Sequence, residues 1–119
     1  MGILDRFRLD GKRLFITGGS RGLGREMGLA IADAGADVIL AGRDQPSLEA
    51  TAEEIRRQGR QAWTYQADVG KPASCEDLCK QVLEDHDDID ILINNVGGRR
   101  ENIATESMPL ETWQQLVDL

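Results

Sequence analysis

Histidine, cysteine and aromatic residues are scarce in this sequence of 119 residues, which has one His, two Cys, two Phe, two Trp and a single Tyr. The two cysteines, Cys75 and Cys79, stand four apart rather than as C-x-x-C, and His86 is the only imidazole. A metal centre would need further Cys or His ligands, so none is expected. Basic residues are also in the minority, 14 against 21 acidic, for a net charge of −7 and an isoelectric point near 4.6. That balance argues against a nucleic-acid partner, which calls for a basic face. No apolar run approaches the roughly 18 residues that would span a membrane. The start, Met1-Gly2-Ile3-Leu4-Asp5-Arg6, has no signal-peptide apolar core, and Arg6 stands where myristoylation needs Ser or Thr. A soluble, cytoplasmic chain is the expectation.

Internal repeats, low-complexity tracts and linkers are absent as well. What the chain does have is a steady alternation of short apolar runs with segments of helical periodicity. The spacing predicts strands at Arg13–Thr17, Asp37–Ala41, Ala62–Gln66 and Asp90–Asn94. Helices are predicted from about Gly22 to Ala34, from about Pro46 to Gln58, and from Pro72 to near Asp85. Leu23, Met27, Ala30, Ile31 and Ala34 recur on one face of the first, and Leu48, Ala52 and Ile55 on one face of the second. In the third, Cys75, Leu78, Cys79, Val82 and Leu83 form a stripe, on which the cysteines read as small buried hydrophobes. A last helix begins near Pro109 and is expected to turn Trp113, Leu116 and Val117 inward. His86 lies in the acidic run Glu84-Asp85-His86-Asp87-Asp88, read as a solvated loop without a catalytic role.

Strands alternating with helices imply βαβ units, a parallel sheet and helices on both faces, the α/β doubly wound class. The near-continuous apolar runs of strands one, two and four suit strands buried on both faces. Two features suggest that residues 1–119 are the N-terminal part of a single domain that is incomplete at its C-terminus. The helical pattern is still running at Leu119 without a stop signal. Strand four would also lie at an open, apolar edge, a liability unless something covers it.

Thr17-Gly18-Gly19-Ser20-Arg21-Gly22-Leu23-Gly24 sits where the first strand hands over to a helix. Unpaired N–H groups at a helix start, with the positive end of its dipole, attract an anion, and glycines let a pyrophosphate approach the backbone. The spacing is G-x-x-x-G-x-G, not the usual G-x-G-x-x-G. With Asp68-Val69 after strand three and Asn94-Asn95-Val96-Gly97 after strand four, it resembles the short-chain dehydrogenase/reductase family over the whole chain. The look is closest to 3-oxoacyl-carrier-protein reductase and gluconate dehydrogenase-like members. The resemblance implies that Gly18, Ser20, Arg21, Gly22 and Leu23 surround the cofactor's phosphates and adenosine ribose. It implies that Asp68 and Val69 hold the adenine edge, and that Asn95 and Gly97 line the cofactor floor beside the ribose. Val96 replaces the family's commoner Ala. Gly70-Lys71 stands where many relatives carry a Thr or Asp cap, so the third helix should start less firmly.

NAD-specific sites place an acid at the end of strand two, roughly 20 residues past the glycine turn, to bind the ribose 2′-hydroxyl. Here that place reads Ala41-Gly42-Arg43-Asp44. An acid would repel a 2′-phosphate, whereas the Arg43 guanidinium can bind it bidentately, with Arg21 within reach of the same group. Asp44 is expected to cap the second helix. The expected cofactor is therefore NADP(H) rather than NAD(H).

The resemblance also implies hydride transfer between the nicotinamide and a small carbonyl or alcohol substrate. A Tyr with a Lys four residues on, a Ser and an Asn should assist, in what is expected to be a homo-oligomer when complete. No catalytic residue of that set is identified here: Tyr65, the only tyrosine, is followed four residues later by Val69. Arg99 and Arg100 could face an anionic substrate or simply be a solvated loop. The chain alone is expected to be inactive. A competing reading is a non-enzymatic nucleotide-binding subunit or remnant working with a partner chain. A methyltransferase would want an acid ending strand two, against Gly42-Arg43.

Overall fold

The computed structural model describes residues 2–97 and 104–118. After a 3-10 turn at Ile3–Phe7, the elements alternate: β1 (Arg13–Thr17), α1 (Gly22–Asp33), β2 (Asp37–Gly42), α2 (Gln45–Arg57), β3 (Ala62–Gln66), α3 (Pro72–Asp85) and β4 (Ile91–Ile93). A second 3-10 turn, Thr105–Ser107, precedes α4 (Leu110–Val117). The strands form one all-parallel sheet in the order β3-β2-β1-β4. Phe15 lies opposite Ile39 on one side and Leu92 on the other, while Ile39 faces Trp63.

Alternate side chains of each strand serve opposite faces, so the sheet carries two cores. On one, Leu14, Ile16, Val38 and Leu40 meet Ala32 of α1 and Leu48, Ala52 and Ile55 of α2. On the other, Phe15, Ile39 and Ala41 meet Leu78 and Val82 of α3. The doubly wound α/β class is what the structure has. Leu48 and Ile55 are fully buried, each contributing about 1.5–3 kcal/mol by removal from water, and they hold α2 down at the predicted face.

Periodicity identified the helices more reliably than their inner faces. α1 buries Gly24, Gly28 and Ala32, while Leu23 and Ala30 are exposed and Met27 and Ile31 are half-buried. The small residues win because the helix lies close on the sheet: a Cβ at Gly28 would already touch Leu40 at 3.6 Å. On α3 only Leu78 and Val82 are buried. Cys79 is exposed and Cys75 half-buried, and Leu83 faces water, so the cysteines are not core hydrophobes. Trp113 and Val117 of α4 are exposed rather than turned inward, and the Leu116 side chain lies outside the description.

β4 is shorter than expected and sits at the sheet edge, with Leu92 59% exposed. It is not a strand buried on both faces. Asp90 still continues the pairing with β1, since its N–H donates to the Arg13 carbonyl (3.0 Å) and its carboxylate accepts from the Arg13 N–H (2.9 Å). His86, expected in a solvated loop, is buried, with 4% of its surface exposed. Among the described residues no helix is long and apolar enough to cross a membrane.

Candidate nucleotide cleft

All four strands point their carboxyl ends at one place, the crevice where open parallel sheets take ligands. A cleft of about 900 Å³ lies there. Its walls include Gly18, Ser20, Arg21, Gly22 and Leu23 from the glycine turn, Arg43 from the end of β2, Asp68 and Val69 after β3, and Asn95 and Gly97 after β4. The ten residues singled out from the motifs thus border a single cavity. Gly42, Asp44, Gly70, Lys71 and Val96, which flank those motifs, border it too, as do Ala67 and, near the end of α4, Gln115 and Asp118, which the motifs did not point to.

The turn between β1 and α1 is built by backbone needs that only glycine meets. Gly18 has φ +71° and Gly22 φ +59°, the left-handed region that side chains disfavour. The Gly18 N–H donates to the Ala41 carbonyl of β2 (2.8 Å), which hangs the turn from the neighbouring strand. A Cβ on Gly24 would run into the Gly18 carbonyl and the Asn95 amide, so α1 can start this close to the turn only because Gly24 has none. Asn95 closes the arrangement from β4. Its N–H donates to Thr17 Oγ1 (3.2 Å) and its Nδ2 donates to the Gly18 carbonyl (3.3 Å). Its side chain therefore braces the turn as well as bordering the cavity.

Among the described residues, no side chain caps α1, and its first turn carries no acid. Gly22 and Leu23 of that first turn border the cavity, so the uncapped N–H groups and the positive dipole end of α1 lie at its wall, which is the physical requirement for an anion site. α3 likewise starts without a side-chain cap, with Pro72 in its first turn, as the Gly70-Lys71 sequence suggested.

At the end of β2, Gly42 is buried, and a Cβ there would lie 3.3 Å from Leu48 and 3.8 Å from Ser20 Oγ. Arg43 is exposed and its carbonyl accepts from Gln66 Nε2 (3.0 Å), fixing the backbone from which the guanidinium extends. Asp44 occupies the N-cap position of α2 but makes no side-chain cap bond. Its carboxylate accepts instead from the Ser47 hydroxyl, which corrects the expectation of a backbone cap. Arg21, Arg43 and Lys71 stand at the cavity with Asp44, Asp68 and Asp118, so the lining is balanced in formal charge although the chain as a whole carries −7.

After β3, Asp68 Oδ1 accepts from the Gly70 N–H (3.0 Å), and the Asp68 N–H donates to Ser74 Oγ (3.2 Å). The Asp68-Val69 edge is thereby held in one conformation. Thr51 of α2 has no obvious motif, yet it is fully buried. Its Oγ1 accepts from Arg25 Nη1 (3.0 Å) and lies near the Ser47 and Ser20 carbonyls, while Arg25 also pairs with Glu54. This polar tie joins α1, α2 and the turn, and its one sequence signal is a hydroxyl on an otherwise apolar face.

Tyr65 does not border the cleft. It lies on the α3 face of the sheet, where burial first and the Asp85 carboxylate second push its hydroxyl up to about 12, and its O–H donates to Asp85 (2.8 Å). Arg99 and Arg100 lie outside the described residues. Among those described, no group of three or more His, Cys, Asp or Glu could hold a metal ion.

Comparison with known proteins places this arrangement. An uncharacterized oxidoreductase of Mycobacterium tuberculosis is 49% identical over 100 residues, covering 84% of this chain and 38% of the relative. The 2-dehydro-3-deoxy-D-gluconate 5-dehydrogenase of Bacillus subtilis is 35% identical over 120 residues, covering 100% of this chain and 46% of the relative. Among solved structures, an NADH-dependent reductase complexed with NAD superimposes with a TM-score of 0.82 at 30% identity, covering 98% of this chain and 48% of that one. The chain thus spans less than half the length of these relatives. The sequence model described as short chain dehydrogenase matches residues 12–119, and with the glycine turn, the Asp68-Val69 pair and the Asn95 brace on one parallel sheet, the chain belongs to the short-chain dehydrogenase/reductase family.

Proposed function

We propose that this chain holds the nicotinamide cofactor of a short-chain oxidoreductase, and that the cofactor is NADP(H). The whole reaction would move a hydride between that cofactor and a small carbonyl or alcohol substrate. The observation that carries the reading is the meeting of an uncapped helix start with an acid-free strand end. Gly42 puts no carboxylate at the end of β2, and the exposed Arg43 follows it at the cavity wall. The NAD-bound relative makes NAD(H) the competing cofactor, and the two differ at the ribose 2′-position, which this reading sets beside the end of β2.

In this assignment Gly18, Ser20, Gly22 and Leu23 receive the phosphates and the adenosine ribose, with the α1 N–H groups supplying the donors. Arg43 and Arg21 take the 2′-phosphate. Asp68 and Val69 read the adenine edge, and Asn95 and Gly97 form the floor. The bound nicotinamide supplies the hydride donor or acceptor. We assign residues 1–119 to the N-terminal part of one Rossmann domain, a reading supported by relatives more than twice as long. The proton-moving groups are then placed outside these residues, since Tyr65 lies away from the cavity.

The test is binding of 2′,5′-ADP and 5′-AMP, which differ only by the 2′-phosphate, followed by calorimetry. A charge-assisted hydrogen bond contributes about 1.5–3 kcal/mol, so 2′,5′-ADP should bind roughly ten- to a hundredfold more tightly. Arg43→Ala should remove most of that preference and leave 5′-AMP affinity unchanged. Equal affinity of the unaltered chain for both nucleotides overturns the NADP reading. A second expected result is binding without NADPH-dependent turnover by the purified 119-residue chain. Turnover with a carbonyl substrate would show that the chain carries its own chemistry.

A further inference from the structure

We infer that His86 is a proton-operated clasp: its neutral ring, held between Arg13 and Tyr65, fastens the carboxyl end of α3 to the sheet, and uptake of a proton undoes the fastening.

The clasp lies away from the nucleotide cleft and does not depend on the cofactor assignment. α3 has fourteen residues, of which Leu78 and Val82 are the buried ones. His86 follows them at the same four-residue step, as the helix's C-cap, with its N–H donating to the Val82 carbonyl (2.9 Å). The residues on either side of it, Glu84, Asp85, Asp87 and Asp88, are exposed, so the imidazole alone turns in from this acidic run.

The hydrogen bonds run in one direction. Arg13 Nη1 can only donate, so His86 Nδ1, 3.2 Å away, must accept. The ring hydrogen then sits on Nε2 and donates to Tyr65 Oη at 3.1 Å. Tyr65 passes its own hydrogen to Asp85 Oδ2 at 2.8 Å. Trp63 packs edge-on against the imidazole, with ring centroids 4.6 Å apart, and the Arg13 guanidinium lies over the Trp63 ring at 4.8 Å. Two strands and a helix end, β1, β3 and α3, thus converge on one ring.

A second proton would go on Nδ1, where it faces a guanidinium: two donors point at each other and two positive charges meet. The charged and titratable groups around the ring are Arg13 from β1, Tyr65 from β3 and Asp85 from α3. Only Asp85 favours the imidazolium. Beyond them, Asp37, Asp87, Asp88 and Asp90 with Lys12 border the recess next to Arg13. Burial first, and Arg13 second, lower the His86 pKa, with Asp85 opposing. A folded-state value below the ordinary 6.5 means that the unfolded chain takes up the proton first. The clasp's contribution is therefore complete above about pH 6.5 and is lost as pH falls below it.

The single histidine makes the test direct. In the full chain carrying Trp113→Phe, Trp63 is the only indole, and the imidazole ring proton of His86 is the only one of its kind in an NMR spectrum. Both signals are followed from about pH 8 to about pH 5, with thermal unfolding midpoints over the same range. We expect the imidazole to titrate below 6.5, with loss of Trp63 emission and a fall in the midpoint over the same interval. In His86→Gln the emission and the midpoint should lose that step. Asp85→Asn should shift the titration to lower pH. An imidazole that titrates at 6.5 or above while Trp63 emission stays flat overturns the clasp, and that result needs no variant at His86 to fold.

Discussion

Gly24→Ala should destroy nucleotide binding and cost the fold heavily, although it adds one methyl group. The new Cβ would be driven into the Gly18 carbonyl and the Asn95 amide, and the first of these is backbone that cannot swing aside. Relief requires α1 to back away from the turn or the turn to move off β2. The first motion lifts the helix start off the cavity, and the second breaks the Asn95 Nδ2 bond to Gly18 and the Gly18 bond to Ala41. Overpacking alone, or overpacking with the loss of these hydrogen bonds, costs on the order of 3 kcal/mol. The same displacement turns the α1 N–H groups away from the cavity. Nucleotide affinity should fall by at least tenfold in calorimetry, and the urea midpoint should drop. Unchanged affinity for 2′,5′-ADP would mean that the close approach of turn and helix is irrelevant to the site. Gly28→Ala is a useful contrast: its Cβ meets Leu40 at an ordinary 3.6 Å, and a small effect is expected.

Leu40→Ala should be the most damaging of the simple core truncations. Leu40 is fully buried in the middle of β2, and its Cδ2 lies under both Gly19 and Gly28, filling the space below the turn and below α1. Removing a buried leucine to the β-carbon costs about 2–5 kcal/mol through lost transfer energy and the cavity left behind. Against a total of about 5–15 kcal/mol for a native domain, that is a large fraction. Urea unfolding should show a lower midpoint with an unchanged slope. Leu92→Ala, on the exposed edge strand, should change stability by about half a kcal/mol or less. Comparable losses at both positions would contradict the placement of the core on the α1–α2 face.

The strands and helices were legible because βαβ units impose two clear periods. β1 and β3 fall on the residues expected, and β2 adds only Gly42. The glycine turn was legible because its chemistry is backbone chemistry, written directly in the residues that lack side chains. Partnership was what the sequence could not reveal. Leu23 and Trp113 fit helical stripes, but a stripe shows where apolar groups line up, not whether another element covers them. α1 in particular seats its smallest residues against the sheet, a choice set by how close the helix must come. His86 was hidden for the opposite reason. Its neighbours are acidic and exposed, and the groups that bury it, Arg13, Trp63 and Tyr65, are distant in the chain. Thr51 and Gln66 brace the cleft through contacts with no local pattern.

The strand order has a consequence for the timing of biosynthesis. β1 emerges from the ribosome early and can pair with β2 about twenty residues later, but its other edge waits for β4. The two bonds from Asn95 that brace the glycine turn span 78 and 77 residues. Nascent chains fold from the N-terminus as they are made, and contacts between distant residues are the slow ones. A growing polypeptide that has completed β3 therefore carries every glycine of the turn and still lacks its brace. The ability to grip a nucleotide should arrive abruptly with residues 91–95, well after the motif that encodes it has been translated.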